Sequence, residues 1–373
     1  MSRPDRPKLS GTDREAGLNP IIIVIANHLR GHYRRGAGQM SGNSQDRSTR
    51  QLDVSAPAIR NAAATLRAGG LVAFPTETVY GLGGDACNAA AVAAIFAAKE
   101  RPSFNPLISH VDSAEAAFEL GLSTKAAEAL SRQFWPGPMT LVLMRRPDCP
   151  IARLTSAGLD RIALRVPGHP AARRLLSDFG GPVAAPSANP SGRISPTRAS
   201  HVIAGLSGRI DIVLDGGRCA SGVESTVIDC SGDDVRILRP GGVTREDLAL
   251  CLEGVDVELA DGPPPSIPDQ PLMASPGMMA SHYAPRAMLE RNVTTPRTGM
   301  ELIGFGAVAG AGTERLNLSP DGDLIEAAAN LFDMLHRADS GDASVIGVAP
   351  IPEIGLGEAI NDRLRRAAAP RET

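Results

Sequence analysis

Lysine, cysteine and aromatic residues are scarce in this chain of 373 residues. Lysine occurs only at Lys8, Lys99 and Lys125, so nearly all cationic character is guanidinium. The five cysteines, Cys87, Cys149, Cys219, Cys230 and Cys251, are odd in number and never form a C-x-x-C pair. This pattern argues against a disulfide scaffold or a zinc site and suits reduced thiols in a cytoplasmic protein. No stretch approaches the roughly 18 apolar residues of a membrane span, the longest aliphatic run being Ile21 to Ile25. An excess of one charge is missing as well: 41 acidic against 38 basic residues leave a formal net charge of −3. A broad face for nucleic acid or an anionic membrane is therefore not expected, and any basic patch must be local. Absent too are G-x-x-x-x-G-K-S/T, a G-x-G-x-x-G following a strand, H-E-x-x-H and G-x-S-x-G, the signatures of several common enzyme classes.

What is present suits a globular protein of two domains, with 43% apolar residues and enough chain to bury a core without staples. Residues 1–53 are polar and rich in Gly, Arg and Ser, and are expected to be disordered. Because the first convincing element follows Val54, translation from Met40 is a further expectation. From Ala56 onward, helical periodicity (Ile59, Ala62, Ala63, Leu66) alternates with short strands such as Leu71 to Phe74, Leu107 to Val111, Ile162 to Val166 and Ile212 to Leu214. Several strands follow one another without a helix, so residues 54–256 are expected to form a twisted mixed sheet with flanking helices. Residues 257–285 hold seven prolines and read as an extended linker. Residues 286–373 carry a β-α-β-α pattern (Leu302 to Phe305, Leu324 to Arg337, Val345 to Ala349, Glu358 to Ala368), a small C-terminal α/β domain.

Three hydroxyl-rich turns fall at strand ends: Pro75 to Gly83, Pro186 to Gly192, and Gly222 to Thr226. Such residues also make purely local backbone bonds, but strand ends of open α/β sheets are where ligands converge. Cations sit beside them. Lys99 is the next position of the helical stripe Val92, Ile95, Phe96, and Arg101 follows it. Alternation puts Arg161 and Arg165 on one face of a strand, and Arg239 ends another. Solvent-exposed or acid-paired arginines would explain any one of these; the set suits a triphosphate and a carboxylate. His110 and the segment His282 to Pro285 complete the candidates.

Taken together, these motifs resemble the YrdC-like threonylcarbamoyl-AMP synthase family in its long form. The resemblance rests on Phe74-Pro75-Thr76-Glu77-Thr78-Val79-Tyr80-Gly81-Leu82-Gly83, Lys99-Glu100-Arg101-Pro102, Asn105-Pro106-Leu107-Ile108, Ser187-Ala188-Asn189-Pro190-Ser191-Gly192 and Gly222-Val223-Glu224-Ser225-Thr226. Leu238-Arg239-Pro240-Gly241, His282-Tyr283-Ala284-Pro285 and the terminal Ala359-Ile360-Asn361-Asp362-Arg363-Leu364 extend it. The resemblance implies synthesis of L-threonylcarbamoyladenylate and pyrophosphate from L-threonine, bicarbonate and ATP with Mg²⁺, supplying the machinery that modifies tRNA. It further implies a catalytic role for Lys99 and Arg101, a threonine site at Thr78, His110, Arg165, Ser187 and Ser225, and an ATP site at Arg101, Asn105, Arg161, Asn189, Thr197, Arg239 and Tyr283, with no metal ligand from the protein. An RNA-binding module and carbamoyl transfer to another acceptor are the alternatives; direct tRNA contact is not favoured by the charge balance.

Overall fold

The computed structural model describes residues 48–102, 104–262, 281–313 and 315–370. Strands β1 (Arg50–Asp53), β2 (Val72–Phe74), β3 (Gly81–Asp85), β4 (Ile108–His110), β5 (Met139–Met144), β6 (Arg161–Arg165), β7 (Val183–Ala184), β8 (Ile212–Asp215), β9 (Thr226–Asp229), β10 (Val235–Arg239) and β11 (Leu259–Asp261) form one sheet. Their order is β1-β8-β2-β3-β7-β4-β6-β5-β9-β10-β11. Parallel pairs such as β4 with β6 stand beside antiparallel pairs such as β5 with β6, the mixed sheet expected from sequence.

Period-two alternation assigns the faces. Val72, Phe74, Ile212 and Leu214 pack with helices α1 (Ala56–Arg67) and α5 (Pro170–Phe179), while Ala73 and Val213 point the other way. That opposite core is lined by α2 (Ala89–Lys99), α3 (Ala114–Leu120), α4 (Lys125–Phe134) and α6 (Ala199–Leu206), with Leu248 of α7 (Arg245–Cys251). Beyond α1 and α5 the first face continues as Ile108, Ala163, Val142, Val227 and Leu238, a cluster supplied by strands alone. His110 and Arg165 lie one alternation further along the strands that carry Ile108 and Ala163.

A second sheet, β12 (Met288–Arg291), β14 (Val345–Val348) and β13 (Met300–Ile303), is parallel throughout and ordered β12-β14-β13. Helices α8 (Leu324–Ser340) and α9 (Leu356–Ala367) complete this unit. Its apolar core is continuous with Val79, Ile194, Val223 and Tyr283 of the larger unit, so the two share a core rather than merely a tether.

Among the strands, β1, β3 and β11 contradict the expected boundaries. β1 lies inside the segment expected to be disordered, residues 1–53; it is a polar edge strand held on β8, with only Leu52 and its backbone to recommend it. Residues 1–47 lie outside the described residues, as does the Met40 start. β11 lies inside the expected linker, residues 257–285, and pairs with β10; residues 263–280 of that linker are outside the described residues. β3, Gly-Leu-Gly-Gly-Asp, was read as part of a turn because three glycines hide any alternation.

Candidate active site

Five loops and four strands, β3, β4, β6 and β10, close around one cavity. It is lined by Thr76, Val79, Gly81, Arg101, Ile108, His110, Arg165, Ser187, Glu224, Ser225, Arg239, His282 and Tyr283, among others. Its volume is about 50 Å³, against the roughly 300–1,000 Å³ of small-molecule pockets.

The turn after β2 is held by its own hydroxyls. Thr76 Oγ1 donates to the Val79 carbonyl (2.6 Å) and accepts from the Thr78 and Val79 amides (3.2 Å each). This leaves Thr78 Oγ1 to accept from Arg165 Nη2 at 2.9 Å. The same Nη2 donates to Glu77 Oε1 (2.6 Å), while Gly168 N–H donates to Glu77 Oε2 (2.8 Å). Burial opposes ionisation of Glu77, but Arg165 holds its pKa below the usual carboxylate value. Arg165 Nε reaches the Gly137 carbonyl at 3.3 Å. Beside it, His110 is pushed down to about 3, first by burial and then by the Arg165 charge, and its Nδ1 has no partner. It is a neutral imidazole at physiological pH.

On the opposite wall Arg239 donates from Nε and Nη2 to the Ser225 carbonyl (3.2 and 2.8 Å) and from Nη2 to Ser225 Oγ (3.2 Å). Thr140 Oγ1 is 2.8 Å from the same hydroxyl. Arg101 follows Glu100, whose left-handed backbone (φ 54°) ends α2 and turns the chain toward the cavity. Arg101 donates to the Pro106 carbonyl at 3.2 Å, while its Nε is buried without a partner. Burial, with the neighbouring Arg239 charge, brings Arg101 down to about 10, so it stays cationic at neutral pH.

Buried polar atoms without partners are rare in folded proteins and ask for an explanation. Here they gather: Arg101 Nε, both side-chain ends of Asn105, His110 Nδ1, Asn189 Oδ1, Thr197 Oγ1 and His282 Nδ1 all lack one among the described residues. Each belongs to the cavity or to a loop that sequence reading assigned to ATP or threonine. Such a set, with three arginines, has the chemistry to receive a polar anionic ligand.

Of the residues expected here, Thr78, Asn105, Asn189 and Thr197 are buried but do not line the cavity, and Lys99 and Arg161 are turned to other partners. Lys99, buried as the α2 stripe predicts, donates Nζ to the carbonyls of Ser187 and Asn189 rather than lining the cavity. Burial, reinforced by Arg101, lowers its pKa well below 10.5. Arg161 shares the face of Arg165 but sits at the other end of β6, where its guanidinium pairs with Asp229 at 3.5 Å. It does not line the cavity. Tyr283 does, and it is pinned from both sides: the His282 amide donates to the Arg366 carbonyl (3.2 Å) and the Ala284 amide to Gly192 (2.8 Å).

Three further residues carry the geometry without having been assigned a role from sequence: Glu77, Glu224 and Arg363. Arg363 had a visible signal, since it interrupts the apolar stripe Ile360, Leu364, Ala367 of α9 and yet is fully buried. Glu77 and Glu224 sit within motifs whose hydroxyl neighbours drew the attention.

Comparison with known proteins gives the family. A family model described as Telomere recombination matches residues 64–241, and one described as Threonylcarbamoyl-AMP synthase, C-terminal domain, matches residues 243–369. The Bacillus subtilis threonylcarbamoyl-AMP synthase is 40% identical over 341 residues, 87% of this chain and 96% of that protein. Its Pyrococcus abyssi counterpart is 40% identical over 330 residues, 84% of this chain and 94% of that one. A crystal structure of P. abyssi Sua5 complexed with L-threonine superimposes with a TM-score of 0.74 at 37% identity, covering 86% of this chain and 97% of the other. Matched along both halves and over nearly the full length of these relatives, the chain belongs to the threonylcarbamoyl-AMP synthase family, in its long form with a C-terminal domain.

Proposed function

We propose that the cavity joins L-threonine, bicarbonate and ATP into L-threonylcarbamoyladenylate, releasing pyrophosphate and water. In this reading the threonine amine and bicarbonate first condense to a carbamate with loss of water. A carbamate oxygen then attacks the α-phosphorus in line, the bond to the β-phosphate oxygen breaks, and pyrophosphate leaves with its electron pair. No side-chain nucleophile takes part; the protein positions two anions and balances their charge.

Roles follow from chemistry. Arg165, whose Nη1 has no partner among the described residues, takes the threonine carboxylate. Thr78, neutral His110, Ser187 and Ser225 read its hydroxyl and amine, a polar site that disfavours a valine-like analogue. Arg101 and Arg239 face the phosphates, with Asn105, Asn189, Thr197 and Tyr283 around the nucleotide. Arg161, paired with Asp229 outside the cavity, has no place in this scheme. Lys99 acts through the Ser187 and Asn189 carbonyls it holds.

Among the described residues the carboxylates beside the cavity are taken, Glu77 by Arg165 and Glu224 by Arg363. An ion would enter on the phosphates of ATP. The 50 Å³ of space is small for ATP and threonine together, and His282 and Tyr283, which line it, are placed to cover a water-sensitive mixed anhydride. The product is consumed by a transferase acting on tRNA.

The observation that carries this reading is the convergence of Arg101, Arg165 and Arg239 on one cavity beside unpartnered polar atoms. Its test is incubation with ¹⁴C-bicarbonate, threonine and ATP, followed by chromatography. Labelled adenylate and stoichiometric pyrophosphate, both lost when threonine is omitted, are expected; tight RNA binding with no labelled adenylate would overturn it.

A further inference from the structure

Arg363 is the largest fully buried side chain among the described residues, and it belongs to α9 of the C-terminal unit rather than to the sheet that carries the cavity. Its Nε donates to Glu224 Oε2 at 2.8 Å. Its Nη1 donates to the Pro240 carbonyl and to Asp362 Oδ2, both at 2.8 Å. Its Cζ lies 5.5 Å from the centroid of the Tyr283 ring, within the range of a cation–π contact. Two cavity residues, Glu224 and Tyr283, and the chain neighbour of a third are thereby gripped at once. Glu224 immediately precedes Ser225, Pro240 immediately follows Arg239, and Tyr283 lines the cavity itself.

Glu224 is the reason such a grip is needed. Its carboxylate lines the cavity and is only 6% exposed; Ser195 Oγ donates to Oε1 at 2.5 Å and Arg363 to Oε2. An uncompensated buried carboxylate is strongly unfavourable and will take whatever cation it can reach. Arg239 is the other arginine whose charge is felt at Glu224. A carboxylate that captured Arg239 would draw it off the Ser225 carbonyl and cancel the charge it offers to an anion in the cavity.

We propose that Arg363 is a positioning residue through which the C-terminal unit sets the phosphate-binding charge of the catalytic cavity. It satisfies Glu224 from behind and holds the Pro240 carbonyl, fixing the Ser225 turn and the end of β10 from which Arg239 is aimed. The second unit is then part of the nucleotide site rather than an appendage that anchors the linker. The inference rests on the assignment of ATP to this cavity, and it is tested by direct binding so that the two can fail separately.

The experiment is isothermal titration of the full-length protein with ATP-Mg²⁺ and, separately, with L-threonine, for wild type, Arg363→Met, Arg363→Lys, Glu224→Gln and the double variant Glu224→Gln/Arg363→Met. Removing the cation alone should weaken ATP by roughly tenfold or more while threonine changes less than about threefold, because the stranded carboxylate acts on Arg239 and not on Arg165. Removing both charges should return ATP affinity to within about threefold of wild type, a coupling between neighbours, while the unequal effect on ATP and threonine separates positioning from general destabilisation. Arg363→Lys, which keeps the charge and loses the fork, should fall between. Where Arg363→Met fails to fold, Arg363→Lys compared with the double variant gives the same reading. Equal loss of both ligands, or no recovery in the double variant, overturns the proposal. Wild-type protein that binds threonine but no ATP overturns the nucleotide assignment itself.

Discussion

At position 165 one guanidinium has three neighbours in hand, the Gly137 carbonyl, Glu77 and Thr78, and still has Nη1 to offer. Replacing Arg165 by Ala removes the carboxylate fork and leaves Glu77 buried without its cation. The threonine KM is therefore expected to rise at least about tenfold, with the ATP KM changing far less; pyrophosphate release at limiting threonine measures it. Lys99 makes a different prediction because it works from behind the wall. Lys99→Met strips the donor from the Ser187 and Asn189 carbonyls, about 1–3 kcal/mol for each group left unsatisfied, so urea unfolding should report the loss and both substrates should bind more weakly. The sequence put Arg101, Arg165 and Arg239 in one site through their places at helix and strand ends and through the family resemblance, and alternation told which face of β6 Arg165 takes. It could not tell that Lys99 turns onto backbone or that Arg161 pairs with Asp229, since both contacts span about 70 to 90 residues of chain. Glu77, Glu224 and Arg363 escaped for the same reason: their partners are distant in sequence.

Among the elements, those with a clean period declared themselves, and the sequence-read spans for β6, α8 and α9 lie within a few residues of the observed ones. Short elements did not. α3 and α7 were not foreseen, although Ser113 caps the first and Thr244 with Asp247 forms a capping box on the second; seven residues give periodicity too little room. One element contact is sharp enough to test. Gly222 has φ +68°, and a Cβ there would fall 2.3 Å from the Ala328 carbonyl oxygen and 2.4 Å from that of Ala329 on α8. Gly222→Ala should thus force α8 off the turn that carries Glu224 and Ser225, destabilising the protein by more than about 3 kcal/mol. Gly217→Ala is the control: its φ is +80° but nothing lies within 4 Å of the new Cβ, so only the left-handed backbone term of about 1–2 kcal/mol applies. Comparable losses in the two variants, read by chemical denaturation, would mean that α8 yields.

Over the whole molecule, folding has buried several imidazoles where they must stay neutral. Burial lowers His110 and His282 to about 3, and His201, stacked 3.8 Å from His336 across the contact of α6 with α8, to about 4. Unfolded, each titrates near 6.5, so below that pH the unfolded chain binds more protons than the folded one and stability falls as pH falls. The contribution is complete above about pH 6.5 and drains away between there and the folded values. One unit below the unfolded pKa, each group has cost about 1.4 kcal/mol, about 4 kcal/mol for three. Glu77 and Glu224, held below their ordinary value, add their own loss only under about pH 4.5, so the interval from pH 6.5 to 5 belongs to histidine. The midpoint of thermal unfolding should therefore drop by several degrees between pH 7 and 5.5. His201→Gln, which keeps a polar side chain at the junction of the two units and cannot titrate, should shorten that drop by about a third while leaving the loss below pH 4.5 intact. A pH profile that is flat to 5 in the wild type, or identical in the variant, would show that the junction hydrates and accepts the charge.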